Sequence, residues 1–334
     1  MRKLCLLFCA LSVCFTVYIS IQSPLSASAS AAAEIAMELT TGTTLSERNA
    51  DARLPMASTT KIMTAIIIIE DCNLDEELTV DDKAVGIEGS SIYLKKDEQI
   101  DVRDLLYGLM LRSGNDSATA LAIHHSGSVE KFVEVMNSRA KTMGAENTSF
   151  TNPSGLPDEN HYTTARDLCK IACYAMNNEI FKEVVGTKNY SGKFRSFFNK
   201  NKMLSMCDGA NGVKTGYTLK AGRCLVSSCE REGMDVVSVV LNCPEMYERS
   251  CEIFEECFSK YSLVKIDENN IFMSDRVLCK VKKSRNFVAN KGNLLDFRVK
   301  LIDNDKKQKS GGAVAILEIS DQNGLLFEEK LYSI

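Results

Sequence analysis

Apolar and polar residues follow spacings that predict local structure along most of the chain. Residues 34–39 and 44–46, separated by Thr40-Thr41-Gly42-Thr43, predict a β-hairpin. Residues 61–69 contain a run of four isoleucines, and β-branched residues favour a strand. We nevertheless interpret this segment as a buried helix, because helical spacing places Ser58 and Lys61 on one face.

Helical periodicity recurs from residue 101 to residue 112, where Asp101 is typical of an N-cap. Further helices are predicted at residues 117–125, 129–143, 164–176 and 252–261. Residues 223–229 and 234–241 have the apolar content of adjacent strands, and Lys214 is predicted to lie on a strand just before them.

Beyond about residue 265 the pattern changes to short alternating segments separated by turns rich in glycine and asparagine, which predicts a small all-β domain. A chain of 334 residues also exceeds what one hydrophobic core usually serves. The content of 45% hydrophobic and 25% charged residues is typical of a globular protein, and a net charge of −4 offers no general attraction for nucleic acid. The basic and aromatic segment 193–202 is interpreted as a solvated loop or hairpin, so no nucleic-acid partner is predicted.

Residues 1–31 have the organisation of a secretory signal peptide. Arg2-Lys3 precedes an uncharged apolar run at residues 4–21, and small residues suited to cleavage follow. We predict cleavage near Ala29 or Ala31 and a working protein that is exported, outside the cytoplasmic membrane. The alternative is an uncleaved anchor helix, which would be the only predicted means of membrane association.

Cysteine is frequent, with three residues in the signal segment and ten from Cys72 onward. Because these ten are scattered through apolar segments, buried thiols are favoured over a disulfide framework. The histidines, His124, His125 and His161, lack ligand spacing to any cysteine pair. Neither a metal nor a cofactor is therefore predicted.

Three short motifs follow one another along the chain: Ser58-Thr59-Thr60-Lys61, Ser113-Gly114-Asn115 and Lys214-Thr215-Gly216. Each motif alone is weak, because such strings occur by chance. The ordered set is specific, because it is the combination found in penicillin-binding proteins and class A β-lactamases. The motifs make chemical sense only if folding brings them together.

The motifs predict acyl transfer through a serine. Ser58 is the candidate nucleophile and Lys61 its base, provided that burial and a second cation at Lys214 lower the pKa of Lys61. Ser113 is a candidate proton relay, and Asn115 is expected to hold the amide of the substrate. The predicted carboxylate receptor is formed by Lys214 and the Thr215 hydroxyl, and Gly216 and Tyr217 are further substrate-binding candidates. The predicted oxyanion donors are the backbone N–H groups of Ser58 and Tyr217.

With these motifs and their surroundings, residues 34–262 resemble the D-alanyl-D-alanine carboxypeptidases, which are low-molecular-mass penicillin-binding proteins. The segments that carry the resemblance are residues 55–64, 89–118, 150–156 and 212–218. The resemblance implies an α+β fold: a β-lactamase/transpeptidase-like domain, with an antiparallel sheet flanked by helices and a helical subdomain, followed by a small all-β domain. The expected division is a signal peptide at 1–31, the carboxypeptidase domain at 32–262 and the β domain at 263–334.

The resemblance also implies the reaction. The terminal D-alanine of a peptidoglycan stem pentapeptide is expected to leave as an acyl-enzyme forms on Ser58, and β-lactams are expected to act as covalent inhibitors. Two features depart from the family. The C-terminal residues 328–334 are too short and acidic for an amphipathic membrane anchor. Only Arg249 is near the position where relatives often place an arginine for the substrate carboxylate.

Two other functions fit the motifs. A β-lactamase would share Ser58 and Lys61 but would need a carboxylate to activate water for deacylation, and Glu159 is the nearest candidate. A non-catalytic wall-binding or β-lactam-sensing protein would keep the pocket without turnover. The surrounding residues favour the carboxypeptidase over the first alternative, and the complete set of reactive groups disfavours the second.

Overall fold

The computed structural model describes residues 30–275, 277–302 and 312–334. The predicted signal peptide falls almost entirely outside these residues. Across the described ranges, no helix has the length and apolar character needed to cross a membrane.

The elements are numbered in chain order. The helices are α1 Lys61–Asp71, α2 Val102–Tyr107, α3 Asn115–Ser126, α4 Val129–Thr142, α5 Ala165–Met176, α6 Glu179–Gly186, α7 Met203–Met206 and α8 Met246–Lys260. The strands are β1 Ala33–Glu38, β2 Thr44–Arg48, β3 Glu77–Thr79, β4 Gln99–Asp101, β5 Asn189–Ser191, β6 Ser196–Phe198, β7 Ala210–Thr218, β8 Gly222–Arg231, β9 Met234–Leu241, β10 Tyr261–Ile266, β11 Phe272–Ser274, β12 Val277–Lys280, β13 Arg285–Asn290, β14 Asp296–Leu301, β15 Ala313–Asp321 and β16 Gly324–Ser333.

A five-stranded antiparallel sheet, in the order β2-β1-β9-β8-β7, forms the centre of the larger region. Side chains alternate between its two faces. Ile35 and Met37 pack with α1 and α5 on one face, whereas Ala36 packs with Ile253 and Phe254 of α8 on the other. Strand β7 is left at the edge of the sheet, so part of its backbone is open to a ligand.

The isoleucine-rich segment is helical, as predicted. Every residue from Lys61 to Ile69 is buried. The helix propensity of isoleucine is lower than that of alanine by a few tenths of a kcal/mol, whereas burying its side chain is worth about 1.5–3 kcal/mol. Packing against the rest of the core therefore decides the conformation of α1, and propensity does not.

The predicted helix at residues 101–112 is helical from Val102 onward but changes type. The Asp101 side chain accepts a hydrogen bond from Asp104 N at 2.6 Å, which confirms the N-cap. After α2, residues Gly108–Arg112 form a π-helical turn that ends at Ser113 with φ 65°. The predicted helices at 117–125, 129–143 and 164–176 are confirmed as α3, α4 and α5. The prediction for α8 was wrong at its start, because the buried face already begins at Met246.

The C-terminal strands form a two-stranded sheet of β10 and β13 and a five-stranded sheet in the order β11-β12-β16-β15-β14. Their hydrophobic cluster, which includes Phe287, Leu317 and Leu331, is separate from the two clusters of the central sheet. The α+β architecture with a C-terminal all-β region is thus confirmed. A domain boundary between residues 262 and 263 stays a prediction.

None of the ten cysteines from Cys72 onward forms a disulfide among the described residues, and eight of them are buried. Burial raises the pKa of the Cys224 and Cys243 thiols to about 11. Cys224 and Cys243 therefore carry little thiolate at neutral pH, and the burial of most of these cysteines confirms that they are small core residues. No group of three or more potential metal-binding side chains assembles among the described residues.

Candidate active site

Ser58 lies in a short 3-10 turn, Ala57–Thr60, that leads directly into α1. The turn is anchored by its own threonines: Thr59 Oγ1 donates to Met56 O at 2.7 Å, and Thr60 Oγ1 donates to Ala57 O at 2.9 Å. Ser58 is half-buried and lines two adjoining pockets. The turn therefore presents one hydroxyl to solvent while its neighbours are held in the core.

Lys61 is fully buried, and its amine is surrounded by three oxygen atoms. Nζ lies 3.0 Å from Ser58 Oγ, 2.7 Å from Asn115 Oδ1 and 2.6 Å from Ser154 O. A neutral amine has two N–H donors and one lone pair. The amide and carbonyl oxygens account for the two donors, which leaves the lone pair to accept the proton of the Ser58 hydroxyl.

Electrostatics favour that neutral form. Burial, the charge of Lys214 and, to a smaller extent, the charge of Lys200 hold the pKa of Lys61 well below its usual range, although Asp116 opposes this. Burial and Lys200 lower the pKa of Lys214 to about 7. The sequence prediction of a lysine base activated by burial and by Lys214 is therefore consistent with the geometry.

Asn115, the first residue of α3, holds two parts of the site together. Its Oδ1 accepts from Lys61, while its Nδ2 donates to Glu88 O at 2.5 Å and its backbone N–H donates to Ser90 O at 2.7 Å. Both ends of the amide thus have protein partners. Its predicted role in holding the substrate amide stays a prediction, and the structure adds a positioning role.

The neighbouring Asp116 is a buried carboxylate that the sequence analysis missed. It accepts hydrogen bonds from Ser91 Oγ at 2.5 Å and from the backbone N–H groups of Ile92 and Leu94 at 3.0 and 3.2 Å. These bonds fasten the loop at 88–94 to the start of α3. The turn of Ser113 in the left-handed region then places its side chain in the pocket beside Ser58.

The loop at residues 152–157 supplies the Ser154 carbonyl that contacts Lys61. Asn152 Oδ1 organises this loop, because it accepts from the N–H groups of Gly155 and Leu156 at 2.7 and 3.1 Å. Gly155 has φ +89°, and a Cβ there would lie 1.9 Å from Ala57 O. The glycine is therefore required twice, for its backbone conformation and for contact with the turn that carries Ser58.

His161 supports the same turn from behind and is buried. Its Nδ1 accepts from Thr151 N at 3.1 Å, so Nε2 carries the proton and donates to Thr60 Oγ1 at 2.7 Å. Burial lowers its pKa to about 4. His161 is thus a neutral structural residue next to the site, and its sequence context gave no signal for this position.

Strand β7 brings the third motif to the site. Lys214 is buried, with Nζ donating to Thr215 O at 2.8 Å. A Cβ at Gly216 would lie 3.0 Å from Ser58 N and 3.1 Å from Met56 O, so glycine allows the strand to approach the turn that carries Ser58 closely. Thr215, Gly216 and Tyr217 all line the pocket that contains Ser58. All eight predicted site residues are therefore brought together.

Two pockets meet at Ser58. The Lys200 pocket has a volume of about 560 Å³ and is lined by Ser113, Thr215 and Arg223 as well as Lys200. The Glu88 pocket has a volume of about 390 Å³ and is lined by Glu88, Asn115, Gly155, Tyr217 and Lys220, among others. Sequence analysis missed Lys200, Arg223, Glu88 and Lys220.

Lys200 was assigned to a solvated loop or hairpin, and the structure agrees, because Lys200 is exposed and follows the hairpin of β5 and β6. What the sequence did not reveal is that Lys200 also lines the pocket at Ser58. Its backbone N–H donates to Leu111 O at 3.1 Å, which brings the loop against the end of the π-helical turn. Most of the segment is held away from the pocket: Asp104 accepts from the N–H groups of Phe194 and Arg195 at 2.6 and 3.0 Å. The sequence gave only a weak indication that Lys200 lines a pocket: a basic residue between two asparagines, Asn199-Lys200-Asn201. A pattern of three residues is too short to be specific.

Arg249 and Glu159 are not part of either pocket. The Arg249 guanidinium is bound to Glu34, with Nη2 3.0 Å from Oε1. Arg223, which is paired with Tyr217 across β7 and β8, is the arginine that lines the Lys200 pocket. Glu159 is exposed and lines neither pocket at Ser58, which disfavours it as the carboxylate that a β-lactamase would need to activate water.

The chain is similar in sequence and in fold to known D-alanyl-D-alanine carboxypeptidases. The peptidase S11 family, described as D-alanyl-D-alanine carboxypeptidase, matches residues 20–245. The D-alanyl-D-alanine carboxypeptidase of Streptomyces sp. (strain K15) is 40% identical over 228 residues, which are 62% of this chain and 78% of that protein. DacF, a D-alanyl-D-alanine carboxypeptidase of Bacillus subtilis (strain 168), is 33% identical over 262 residues, covering 74% of this chain and 66% of DacF.

Two solved structures share nearly the whole architecture. Penicillin binding protein 5 from Haemophilus influenzae superposes with a TM-score of 0.80 at 26% identity, covering 91% of this chain and 96% of that one. The D-alanyl-D-alanine carboxypeptidase DacD from Francisella tularensis gives a TM-score of 0.76 at 27% identity, covering 91% and 92%. Both similarities extend into the C-terminal β region, because they cover more of the chain than the family match does.

Proposed function

The chain belongs to the peptidase S11 family of D-alanyl-D-alanine carboxypeptidases, and on that premise we propose that it removes the terminal D-alanine from peptidoglycan stem pentapeptides through an acyl-enzyme on Ser58. The observation that carries this proposal is the environment of the Lys61 amine. Its two donor positions are occupied by Asn115 and Ser154, and its remaining position faces Ser58 Oγ at 3.0 Å.

In the first step, neutral Lys61 takes the proton of the Ser58 hydroxyl as Oγ attacks the carbonyl carbon between the two D-alanines. The resulting oxyanion is held by the backbone N–H groups of Ser58 and Tyr217. The C–N bond then breaks, and the proton passes through Ser113 to the leaving amine. The products of this step are free D-alanine and an ester on Ser58.

In the second step, a water molecule attacks the ester and transfers its proton to the Lys61 amine. Lys61 then passes this proton to Ser58 Oγ as the ester C–O bond breaks, so both residues return to their starting states. The shortened peptide is released as a carboxylic acid. A β-lactam would form an ester with Ser58 in the same way. Its amine would remain bonded to the acyl group after the ring opens, so it could not diffuse away and would block the site.

Substrate orientation follows from the charges on β7. The ammonium of Lys214 and the hydroxyl of Thr215 receive the C-terminal carboxylate, with Lys200 and Arg223 adding positive charge to the same pocket. Gly216 lets β7 lie close to the turn that carries Ser58, and the open edge of β7 pairs with the peptide in an extended conformation. Because the substrate lies in the cell wall, the enzyme works on the outer side of the cytoplasmic membrane.

The test is product release from a defined peptide. Purified protein should liberate D-alanine from diacetyl-L-Lys-D-Ala-D-Ala and should be labelled by a fluorescent penicillin, and Ser58→Ala should abolish both. Labelling that survives Ser58→Ala would contradict the assignment of the nucleophile. Rapid multiple-turnover hydrolysis of nitrocefin would instead identify a β-lactamase, and peptidoglycan binding without D-alanine release would identify a non-catalytic protein.

A further inference from the structure

The Glu88 pocket contains an unused pair of opposite charges. Glu88 and Lys220 are its charged lining residues, and both side chains are exposed. Among the described residues, neither the Glu88 carboxylate nor the Lys220 ammonium has a hydrogen bond or an ion pair. The rest of the lining is uncharged and includes Leu156 and Pro157.

The backbone at Glu88 is fixed. Its carbonyl accepts from Asn115 Nδ2 at 2.5 Å, and the next residue, Gly89, has φ +91°. A Cβ at Gly89 would lie 2.7 Å from Asn115 Nδ2, so the loop is pressed against α3. The Glu88 side chain therefore extends from a rigid position next to the residue that holds the Lys61 amine.

Lys220 is fixed on the other wall. It lies in the three-residue turn at 219–221 that joins β7 to β8, after the last pair of the ladder, Thr218 and Gly222. Thr218 Oγ1 accepts from Ala221 N at 3.0 Å, and Gly222 adopts φ +66°. The ammonium is therefore carried by an ordered turn at the end of β7.

The direction of β7 assigns a substrate residue to this pocket. Under the proposed function, on which this inference rests, the terminal carboxylate lies at Lys214 and Thr215 and the reacting carbonyl at Ser58. An extended peptide advances about 3.3 Å per residue. The residue before the two D-alanines is thus placed past Tyr217, in the Glu88 pocket.

We propose that this pocket selects a zwitterionic side chain at that residue, with an ammonium and a carboxylate on one terminal carbon, as in meso-diaminopimelate, over the single ammonium of lysine. Glu88 pairs with the ammonium and Lys220 with the carboxylate. The ammonium of a substrate lysine can also pair with Glu88, but it is repelled by the positive charge of Lys220. Exposed ion pairs of this kind change an equilibrium constant by about two- to five-fold each.

The experiment compares three peptides that end in D-Ala-D-Ala and differ only in the preceding residue: meso-diaminopimelate, L-lysine or Nε-acetyl-L-lysine. Values of kcat/KM for D-alanine release should be highest for diaminopimelate, by about five-fold or more over lysine, and the preference should shrink as salt is added. Lys220→Gln should bring the ratio of diaminopimelate to lysine close to one. Glu88→Gln should lower kcat/KM for the diaminopimelate and lysine peptides relative to kcat/KM for the acetyl-lysine peptide.

Glu146→Gln and Lys188→Gln are matched controls, because both residues are exposed and lie outside the two pockets. Equal values of kcat/KM for the three peptides would overturn the proposed selectivity. So would Lys220→Gln and Glu88→Gln variants that change all three values by the same factor. Either result would leave the proposed carboxypeptidase activity standing. If no peptide is cleaved, the proposed function fails. The ability of each peptide to slow penicillin labelling of Ser58 then still measures its affinity and decides on the selectivity.

Discussion

The Oδ1 atom of Asn115 lies 2.7 Å from the Nζ atom of Lys61, although the two residues are 54 positions apart. This contact fixes the amine next to Ser58. The same side-chain amide of Asn115 also holds the loop at residues 88–94 by donating to Glu88 O. The middle motif is therefore tied to the first motif before any substrate is present.

Asn115→Asp should test this contact through the pH dependence of acylation. A carboxylate next to Lys61 stabilises its ammonium, so the pKa of Lys61 rises and the rising limb of the rate profile moves to higher pH by about one to three pH units. The measurement is the second-order rate constant for penicillin acylation from pH 5 to pH 10. A profile that is uniformly lower but unshifted would show that the amide acts only on the substrate.

Lys200→Met should move both limbs of the same profile. The charge of Lys200 lowers the pKa of Lys61 and the pKa of Lys214, the latter to about 7. Without that charge, the base becomes active at higher pH, and Lys214 keeps its proton for the carboxylate to higher pH. Lys202→Met is the control, because Lys202 is exposed and lines neither pocket. An unchanged falling limb would exclude Lys214 as its origin.

His161 should make stability depend on pH. In the folded protein its pKa is about 4, below the ordinary value of 6.5, so the unfolded chain binds more protons between these values. The contribution is fully present above pH 6.5 and is lost as the pH falls towards 4, by on the order of 3 kcal/mol. Urea unfolding of wild type and His161→Gln at several pH values measures this. The stability advantage of wild type should shrink in that window, and a constant difference would contradict the assignment.

Gly155→Ala should displace the turn that carries Ser58 and so abolish acylation by penicillin. A Cβ would meet Ala57 O at 1.9 Å, so the turn that carries Ser58 must move. Gly127→Ala is the matched control, because Gly127 has a similar φ of +75° with nothing within 4 Å of a Cβ. Backbone strain of about 1–3 kcal/mol is expected in both variants, but loss of penicillin acylation only in Gly155→Ala. Equal acylation of the two folded variants would show that the contact is not needed.

Much of the secondary structure followed from local pattern. Hydrophobic spacing predicted α3, α4 and α5, and the Asp101 cap was evident because capping depends on neighbouring residues. Local pattern failed for the isoleucines of α1, where propensity favours a strand and burial favours a helix. The start of α8 was missed because its first buried positions, Met246 and Ser250, stand among charged residues.

The sequence by itself identified the candidate reactive groups, because Ser58, Lys61, Ser113 and Lys214 stand in motifs whose residue types and order are typical of serine acyl transfer. Only the tertiary structure decided what surrounds them. Asp116, Asn152 and His161 act through contacts with residues distant in sequence, and Lys200, Arg223, Glu88 and Lys220 matter because folding places them at the same pockets. The sequence specifies which reactive side chains are present. Their pKa values, the residues that line the pockets and the complementarity of charges depend on distances that exist only after the chain has folded.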